Sequence, residues 1–149
     1  MNLQAPFQLG QTIPKKYVCK ALGGSDLSPP LSWDSVPKAK SYAVMCYDLD
    51  IPKKVKIKIE QNYWFHWLVY NLTETQLQTG QKIPLKNLVK NTAAKYQYVG
   101  MCPPNKSPHR YRFCVYALKK KLNKIETINQ FIDSVNENKI KEDSIIGLF

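Results

Sequence analysis

The sequence lacks any segment that would direct a chain into or across a membrane. No apolar run approaches the length of a membrane span, and residues 1–10 have neither the basic start nor the apolar core of a secretion signal. We therefore expect a cytoplasmic protein. The chain has 149 residues, 44% of them hydrophobic, and no stretch indicates a second domain. These features predict one compact domain that spans residues 1–149.

Cysteines with metal-binding spacing are also absent. Cys19, Cys46, Cys102 and Cys114 form no C-x-x-C pair and no zinc-finger pattern. Cys46 and Cys114 fall in predicted strands, where cysteine usually behaves as a small buried hydrophobe. We interpret the four as reduced structural thiols. The alternative is a disulfide or a redox switch, which would involve Cys19 or Cys102 because both are near loops.

Arginine is scarce, although the chain is strongly basic. The formal net charge is +11, and only Arg110 and Arg112 among 22 basic residues are arginines. The lysines are spread along the chain and are not interleaved with aromatic residues, so no nucleic-acid partner is expected. They predict a solvated, lysine-rich surface. Its positive field would attract anionic ligands, mainly as a salt-sensitive effect on rates.

No motif of nucleophilic catalysis is present. Ser107 is close to His109 in sequence, but there is no nucleophile elbow and no glycine-framed serine. We predict a protein without catalytic residues, metal or cofactor. Two enzymatic alternatives stay open. Two histidines and a carboxylate could hold iron or zinc, and the same cluster could serve acid-base hydrolysis.

Three apolar runs of strand length are present, and each meets polar residues at one end. The third run follows a stretch whose three prolines predict a stiff loop, residues 103–108. Neighbouring antiparallel strands place the end of one beside the start of the next, so the polar residues are expected to meet at one rim of a sheet. The runs are residues 41–47, 64–71 and 109–118. The polar residues are Asp48, Asp50, His66 and His109.

These residues predict a pocket for a small anion. Imidazole N–H groups and the amides freed by the proline loop can donate to an oxyanion, and Tyr111, with the same strand parity as His109, can add a hydroxyl. The carboxylates would orient an imidazole or meet a positive group, so a zwitterion such as phosphoethanolamine satisfies both signs. Arg110 has the opposite parity and is expected to pair with a carboxylate, which could be one of the two aspartates.

The remaining segments predict small elements around these strands. Residues 1–40 are turn-rich with brief strands at 17–19 and 31–33, and residues 73–99 form a long connection with at most a short helical turn. The lysine alternation at residues 53–60 predicts a half-exposed edge strand; its functional alternative is a basic finger beside the ligand rim. Thr127 is expected to cap an amphipathic helix with Ile128, Phe131, Ile132 and Val135 on one face.

The end of the chain is expected to form a polar loop at residues 136–143 and a last short strand at residues 145–149. Many short strands and turns with one late helix favour a mostly β, antiparallel β-sandwich.

The order of these motifs resembles the phosphatidylethanolamine-binding protein family, and is most similar to its short bacterial, Raf-kinase-inhibitor-like branch. Residues 28–33, 36–37 and 145–147 extend the resemblance over nearly the whole chain. Leu49, Ile51 and Ser107 depart from the usual proline, alanine and glycine of the family. The central motifs are Cys46 to Pro52, His66-Trp67 with Val69 to Leu72, Gly100-x-x-Pro103-Pro104 and His109-Arg110-Tyr111.

The resemblance implies a Greek-key β-sandwich with one or two short helices and no long C-terminal helix. It implies a non-enzymatic binding protein for phosphate, phosphoethanolamine or a phospholipid headgroup, with regulation of a protein partner such as a kinase as a further expectation. Bacterial-type members are often homodimers. The family's ligand-binding positions match Asp48, Asp50, His66, Pro103, Pro104, His109 and Tyr111.

Overall fold

Strands form most of the regular structure in a computed structural model that describes residues 1–104 and 107–149. Asn105 and Lys106, from the predicted proline loop, lie outside the described residues. The elements in chain order are β1 (Leu31–Ser32), β2 (Ser41–Asp48), α1 (Lys53–Ile59), β3 (Trp64–Leu72), β4 (Gln76–Leu77), β5 (Arg110–Leu118), α2 (Ile128–Asn138) and β6 (Lys139–Leu148), with 3-10 turns at Lys15–Tyr17, Lys20–Leu22 and Leu85–Asn87.

The strands build two antiparallel sheets. The larger has the order β3-β2-β5-β6, and the smaller pairs β1 with β4. The apolar runs that predicted β2, β3 and β5 are three adjacent strands of the larger sheet. The mostly β, antiparallel architecture with short helices is thereby confirmed.

Both faces of the larger sheet are buried, because apolar residues occupy consecutive positions along β2 and β5. On one face, Val44 and Phe113 pack beneath the N-terminal segment and the small sheet. On the other, Met45 and Tyr116 pack with α2. The core therefore has one layer on each side of the larger sheet. The polar residues lie at the ends of the strands, along the rims of the sheet.

Helix α2 forms as its sequence predicts. The Thr127 hydroxyl accepts a hydrogen bond from the Gln130 amide at 3.1 Å, as an N-cap should. Phe131 and Val135, four residues apart, are buried against the sheet. With 11 residues, α2 is the longer α-helix, and within the described ranges no helix is long and apolar enough to cross a membrane.

The predicted edge strand at residues 53–60 is wrong, because this segment is the helix α1. Val55 and Ile59 are four residues apart and half-buried, whereas Ile57 is 68% exposed. The alternating sequence therefore also fits one apolar helical face. Pro52 begins the helix with a fixed φ of −61°, and Glu60 ends it in the left-handed region at φ 56°. Lysine is a good helix former, and no neighbouring strand pairs with this segment.

The predicted loop at residues 136–143 is also wrong. Helix α2 continues to Asn138, and β6 begins at Lys139 and runs for ten residues along β5. Residues 139–142 are exposed, so backbone pairing and not side-chain burial makes them a strand. The brief strand predicted at residues 17–19 is likewise reduced to a single bridge between Val18 and Met101 that follows a 3-10 turn.

The prediction of four reduced cysteines is half right. Cys46 and Cys114 are buried free thiols, but Cys19 and Cys102 form a disulfide across 83 residues of chain. The alternative that named these two cysteines is the correct one. Val18 and Met101 lie side by side in a parallel bridge, and the Cys19 amide donates to the Met101 carbonyl, so the backbone brings the sulfur atoms together.

Candidate functional site

The strand register brings the predicted polar residues to one rim of the larger sheet. Asp48, the last residue of β2, lies opposite both Trp64 at the start of β3 and Tyr111 near the start of β5. His66 follows Trp64 by two positions, and His109 precedes β5 directly. The expected meeting of strand ends and strand starts is therefore present in the structure.

His109 is paired with Asp48. Its Nδ1 lies 2.7 Å from the Asp48 Oδ2 atom, and both side chains are buried. The other Asp48 oxygen accepts the Asp50 amide at 2.8 Å. The His109 backbone is held from the other side by two hydrogen bonds with Phe149, after the end of β6. The ring and the backbone of His109 are thus both held in place, and this fixes the direction in which its second ring nitrogen, Nε2, points.

Asp50 turns away from His109 and binds Arg110. The Arg110 guanidinium contacts both Asp50 oxygens, with an Nη2–Oδ1 distance of 2.8 Å and an Nε–Oδ2 distance of 3.0 Å, and the Arg110 amide donates to Oδ2 at 2.7 Å. These hydrogen bonds to Arg110 lower the pKa of Asp50. The pairing expected for Arg110 is present, and it connects the end of β2 to the start of β5.

His66 is buried, and one of its ring nitrogens makes a hydrogen bond within the protein. Its Nδ1 lies 2.7 Å from the Val99 carbonyl oxygen. Burial lowers the pKa of His66, opposed in part by this hydrogen bond and by the charges of Asp48 and Asp26. The ring is therefore neutral near pH 7. Its edge faces Tyr111, with ring centroids 5.5 Å apart.

Tyr111 lies between the two histidines. Its ring stacks on His109 at a centroid distance of 6.3 Å and meets His66 edge to face. The side chain is fully buried, and its hydroxyl has no hydrogen-bond partner in the structure. Burial raises the pKa of Tyr111 above its ordinary value, with the charge of Asp48 as a smaller cause. The hydroxyl thus keeps its proton and can donate it to a hydrogen bond.

A cavity of about 290 Å³ opens beside these rings. Of the predicted site residues, Asp48, His66, Pro103, Pro104, His109 and Tyr111 line it; Asp50 does not. Sequence reasoning missed the apolar wall residues Ile51, Pro52, Val55 and Trp64, together with Val99, Gly100 and Cys102. Strand register alone indicates Trp64, since it is opposite Asp48, whereas the walls from α1 and the long connection depend on the tertiary fold.

The disulfide fixes one wall of this cavity. Cys102 precedes Pro103 and Pro104, and its bond to Cys19 anchors the segment on the N-terminal region. Gly100 packs so closely there that a Cβ atom would lie 2.7 Å from the Cys19 nitrogen. The Asp26 carboxylate accepts the Gly100 amide and holds the same segment. A disulfide, close packing at Gly100 and a hydrogen bond from its amide therefore hold this wall in place.

Three backbone amides that flank the proline loop are engaged within the protein. Val99 donates to the His66 carbonyl, Gly100 to Asp26 and His109 to Phe149. Pro103 and Pro104 have no N–H group. No lysine or arginine lines the cavity among the residues that the structure describes. Among the described residues, the groups that can face a ligand are thus mainly the Tyr111 hydroxyl, a donor, and the Nε2 atoms of the two imidazole rings.

Other features distinguish this cavity from the rest of the surface. A cavity of about 330 Å³ near Gln81 and Tyr98 contains no histidine and no buried polar atom without a partner among the described residues. Within residues 1–104 and 107–149, no three His, Cys, Asp or Glu side chains are grouped to hold a metal ion. The Asp48, His66, His109 and Tyr111 constellation is thus the candidate site.

Known proteins share both the sequence pattern and the fold. Residues 4–149 match the family model described as phosphatidylethanolamine-binding protein. A UPF0098 protein of Chlamydia pneumoniae is 37% identical over 156 residues, which cover 100% of this chain and 98% of that protein. The UPF0098 protein YbhB of Escherichia coli is 34% identical over 120 residues, 73% of this chain and 72% of YbhB.

Two solved structures are similar over nearly the full length. CT736 of Chlamydia trachomatis, described as a phosphatidylethanolamine-binding protein homologue, superposes with a TM-score of 0.84 at 35% identity, covering 99% of this chain and 95% of that one. YbcL of Escherichia coli gives a TM-score of 0.83 at 28% identity and covers 99% and 96%. The chain belongs to the phosphatidylethanolamine-binding protein family.

Proposed function

We propose that the cavity binds the head of a small phosphorylated or otherwise anionic ligand, such as phosphate, phosphoethanolamine or a phospholipid headgroup, without chemical turnover. The observation that carries this proposal is the Tyr111 hydroxyl, a buried donor with no partner in the protein, beside two oriented imidazoles. Leaving such a group unpaired costs about 1–3 kcal/mol, so a ligand acceptor would recover that energy.

The charges of the cavity favour a head that has both signs. Asp48 and the imidazoles suit an ammonium or another donor, and Tyr111 suits a phosphate oxygen. The apolar wall of Ile51, Val55 and Trp64 suits the carbon atoms that join the two groups. Phosphoethanolamine has this arrangement, and the family's descriptive name points to the same headgroup.

The proposed ligand-binding residues are those that line the cavity: Asp48, His66, Pro103, Pro104, His109 and Tyr111. Asp50, predicted as a seventh, has an indirect role in this proposal, because it holds Arg110 and the start of β5 in place. Regulation of a protein partner, homodimer formation and a cytoplasmic location stay predictions. The Cys19–Cys102 disulfide gives the location a test, since disulfides persist mainly in oxidising compartments.

An NMR titration of nitrogen-15-labelled histidine with phosphoethanolamine tests the proposal. The chain has two histidines, so the spectrum is assigned with one variant. We expect the resonances of His66 and His109 to shift together and to saturate at one ligand per chain. Ethanolamine alone is the control for the ammonium end. Resonances that stay in place at millimolar phosphoethanolamine and phosphate would contradict the proposed site.

A further inference from the structure

The two histidines of the cavity have their protons on the same kind of nitrogen. A carbonyl oxygen can only accept a hydrogen bond, so the 2.7 Å contact with Val99 requires a proton on the His66 Nδ1. The Asp48 carboxylate accepts on both oxygens, so the His109 Nδ1 also donates. In a neutral ring, the second nitrogen then has a lone pair. When both rings are neutral, the cavity therefore contains two hydrogen-bond acceptors, the Nε2 atoms of His66 and His109.

Among the residues that the structure describes, the charged groups around these rings are mainly acidic. Asp48 comes from β2, Asp50 from the loop that follows β2, and Asp26 from the N-terminal segment that holds Gly100. The Arg110 guanidinium is occupied by Asp50, and the lysines of α1 do not line the cavity. Tyr111 from β5 is neutral and donates one proton. An oxyanion that entered this cavity without a proton would meet lone pairs and a carboxylate.

Burial and geometry indicate different roles for the two rings. His66 is buried without a carboxylate partner on its ring, and burial lowers its pKa, which favours the neutral form. His109 has a carboxylate at 2.7 Å on the opposite side of its ring, which stabilises an imidazolium when a second anion approaches Nε2. The series carboxylate, imidazolium, oxyanion is a chain of charge-assisted hydrogen bonds.

We propose that the cavity binds an oxyanion together with one proton, which is placed on Nε2 of His109, while Nε2 of His66 accepts a donor that belongs to the ligand. The inference rests on the proposed function and specifies its ligand class: an oxyanion that also carries an N–H or O–H group. Phosphate monoesters in their protonated form and ethanolamine-type heads belong to this class. A fully ionised oxyanion without a donor binds only with proton uptake from solvent.

Sulfate is the probe that isolates the protein's own proton, because it stays doubly ionised between pH 5 and pH 9. Calorimetric titration with sulfate in two buffers of different ionisation enthalpy gives the number of protons taken up. We expect net uptake of protons. Because each bound sulfate then carries a proton into the cavity, the affinity for sulfate should fall as the pH rises, by at most about tenfold per pH unit for one proton.

Three variants locate the proton. His109→Gln should abolish the uptake and the pH dependence. Asp48→Asn, which keeps the shape of the side chain but removes its charge, should reduce the uptake and weaken sulfate binding. Asp133→Asn on α2 removes the same charge at an exposed position outside the cavity and should leave both values unchanged. Circular dichroism of each variant shows whether the fold is kept.

Nitrogen-15 shifts of the wild-type protein give a readout that needs no variant. On addition of sulfate, the His109 Nε2 should change from an unprotonated to a protonated nitrogen, while the His66 Nε2 stays unprotonated. Protonation of His66 alone would overturn the assignment to His109. Sulfate binding with no proton uptake and with an affinity that is constant from pH 5.5 to pH 8 would overturn the inference and leave the proposed function standing. Absence of binding for sulfate, phosphate and phosphoethanolamine down to pH 5.5 would overturn both.

Discussion

The two ends of strands β2 and β5 differ in how their buried polar groups are satisfied. At the end formed by Ser41 and Leu118, the Ser41 hydroxyl donates to the Lys120 carbonyl. There Asn71 and Leu122 exchange two hydrogen bonds of 2.8 and 2.7 Å. At the other end, the Tyr111 hydroxyl is buried without a hydrogen-bond partner. The two imidazoles each use only one ring nitrogen, Nδ1, in a hydrogen bond within the protein. The polar groups at the first end are satisfied within the chain, whereas those at the second end keep unused hydrogen-bonding capacity.

This comparison separates structural from binding polar groups. Native structures leave few buried polar atoms unpaired, so an unpaired atom beside a cavity indicates a missing partner. Trp33 Nε1 and Arg112 Nε are also buried and unpaired, but neither residue lines the cavity. The combination of an unpaired donor, fixed neighbours and open volume is therefore specific to the rim of Asp48 and Tyr111 among the described residues.

The largest effect is expected from loss of the disulfide that fixes the wall of the open end. Opening an 83-residue loop should lower the free energy of unfolding by about 4.5 kcal/mol in the chain-entropy account. Urea denaturation of the protein with and without a dithiol reductant measures this difference. We also expect weaker phosphoethanolamine binding, because Cys102 lines the cavity.

The Cys19→Ser, Cys102→Ser double variant is the matched control. It should have the stability of the reduced protein and should not respond to the reductant, whereas the free thiols Cys46 and Cys114 are present in both proteins. An unchanged denaturation midpoint in wild-type protein whose four thiols are shown to be free would contradict the prediction.

A pair of single variants should separate stability from binding at the two ends. Asn71→Ala removes both hydrogen bonds with Leu122 and places alanine in the left-handed region, since Asn71 has φ 58°. The expected loss is about 2–3 kcal/mol of unfolding free energy with no change in anion affinity. Tyr111→Phe removes a hydroxyl that is near the Asp48 carboxylate but has no hydrogen-bond partner of good geometry in the protein. This substitution should leave the free energy of unfolding unchanged or raise it. It should weaken anion binding about fivefold, which corresponds to the loss of one neutral hydrogen bond.

Urea denaturation and calorimetric phosphate titration of both variants make this comparison. The two proteins serve as controls for each other, since each should change only one of the two measured quantities. A Tyr111→Phe protein that binds phosphate like wild type while Asn71→Ala binds weakly would reverse the assignment of the two ends.

The central strands and most of the site could be predicted from sequence because short-range pattern determines them. Runs of β-branched and aromatic residues predicted β2, β3 and β5, and antiparallel pairing then predicted that Asp48, His66 and His109 meet at one rim. The parity of strand residues also placed Arg110 away from His109, where it binds Asp50.

The errors fall where tertiary contacts decide the outcome. Residues 53–59 fit both a strand and a helix, and their tertiary position, with Val55 on the cavity wall and no strand beside them, favours the helix. Pairing with β5 makes a strand of the mostly charged residues 139–142, and the adjacency of Val18 and Met101 brings Cys19 and Cys102 together. The Val99 carbonyl, which fixes the proton of His66 on Nδ1, is a backbone group. Its position therefore cannot be predicted from the type of any residue in the sequence.

The smallest effect is expected from the lysines near the open end. Helix α1 contributes Val55 to the cavity wall and exposes Lys53, Lys54 and Lys58, for which the described residues provide no carboxylate within 4 Å. Replacing the three by glutamine should weaken sulfate binding about two- to threefold at low ionic strength and have no effect at 0.5 M salt, where screening is strong.

The matched control removes three lysines near the closed end, Lys119, Lys120 and Lys121, which are also exposed. Strand β5 has nine residues, so these lysines lie roughly 25–30 Å from the cavity, beyond the Debye length of about 10 Å at 0.1 M salt. Calorimetric sulfate titrations across a salt series should therefore show a smaller change for this triple variant. Equal losses for the two triples would mean that the net charge of the protein, and not its placement on α1, attracts the anion.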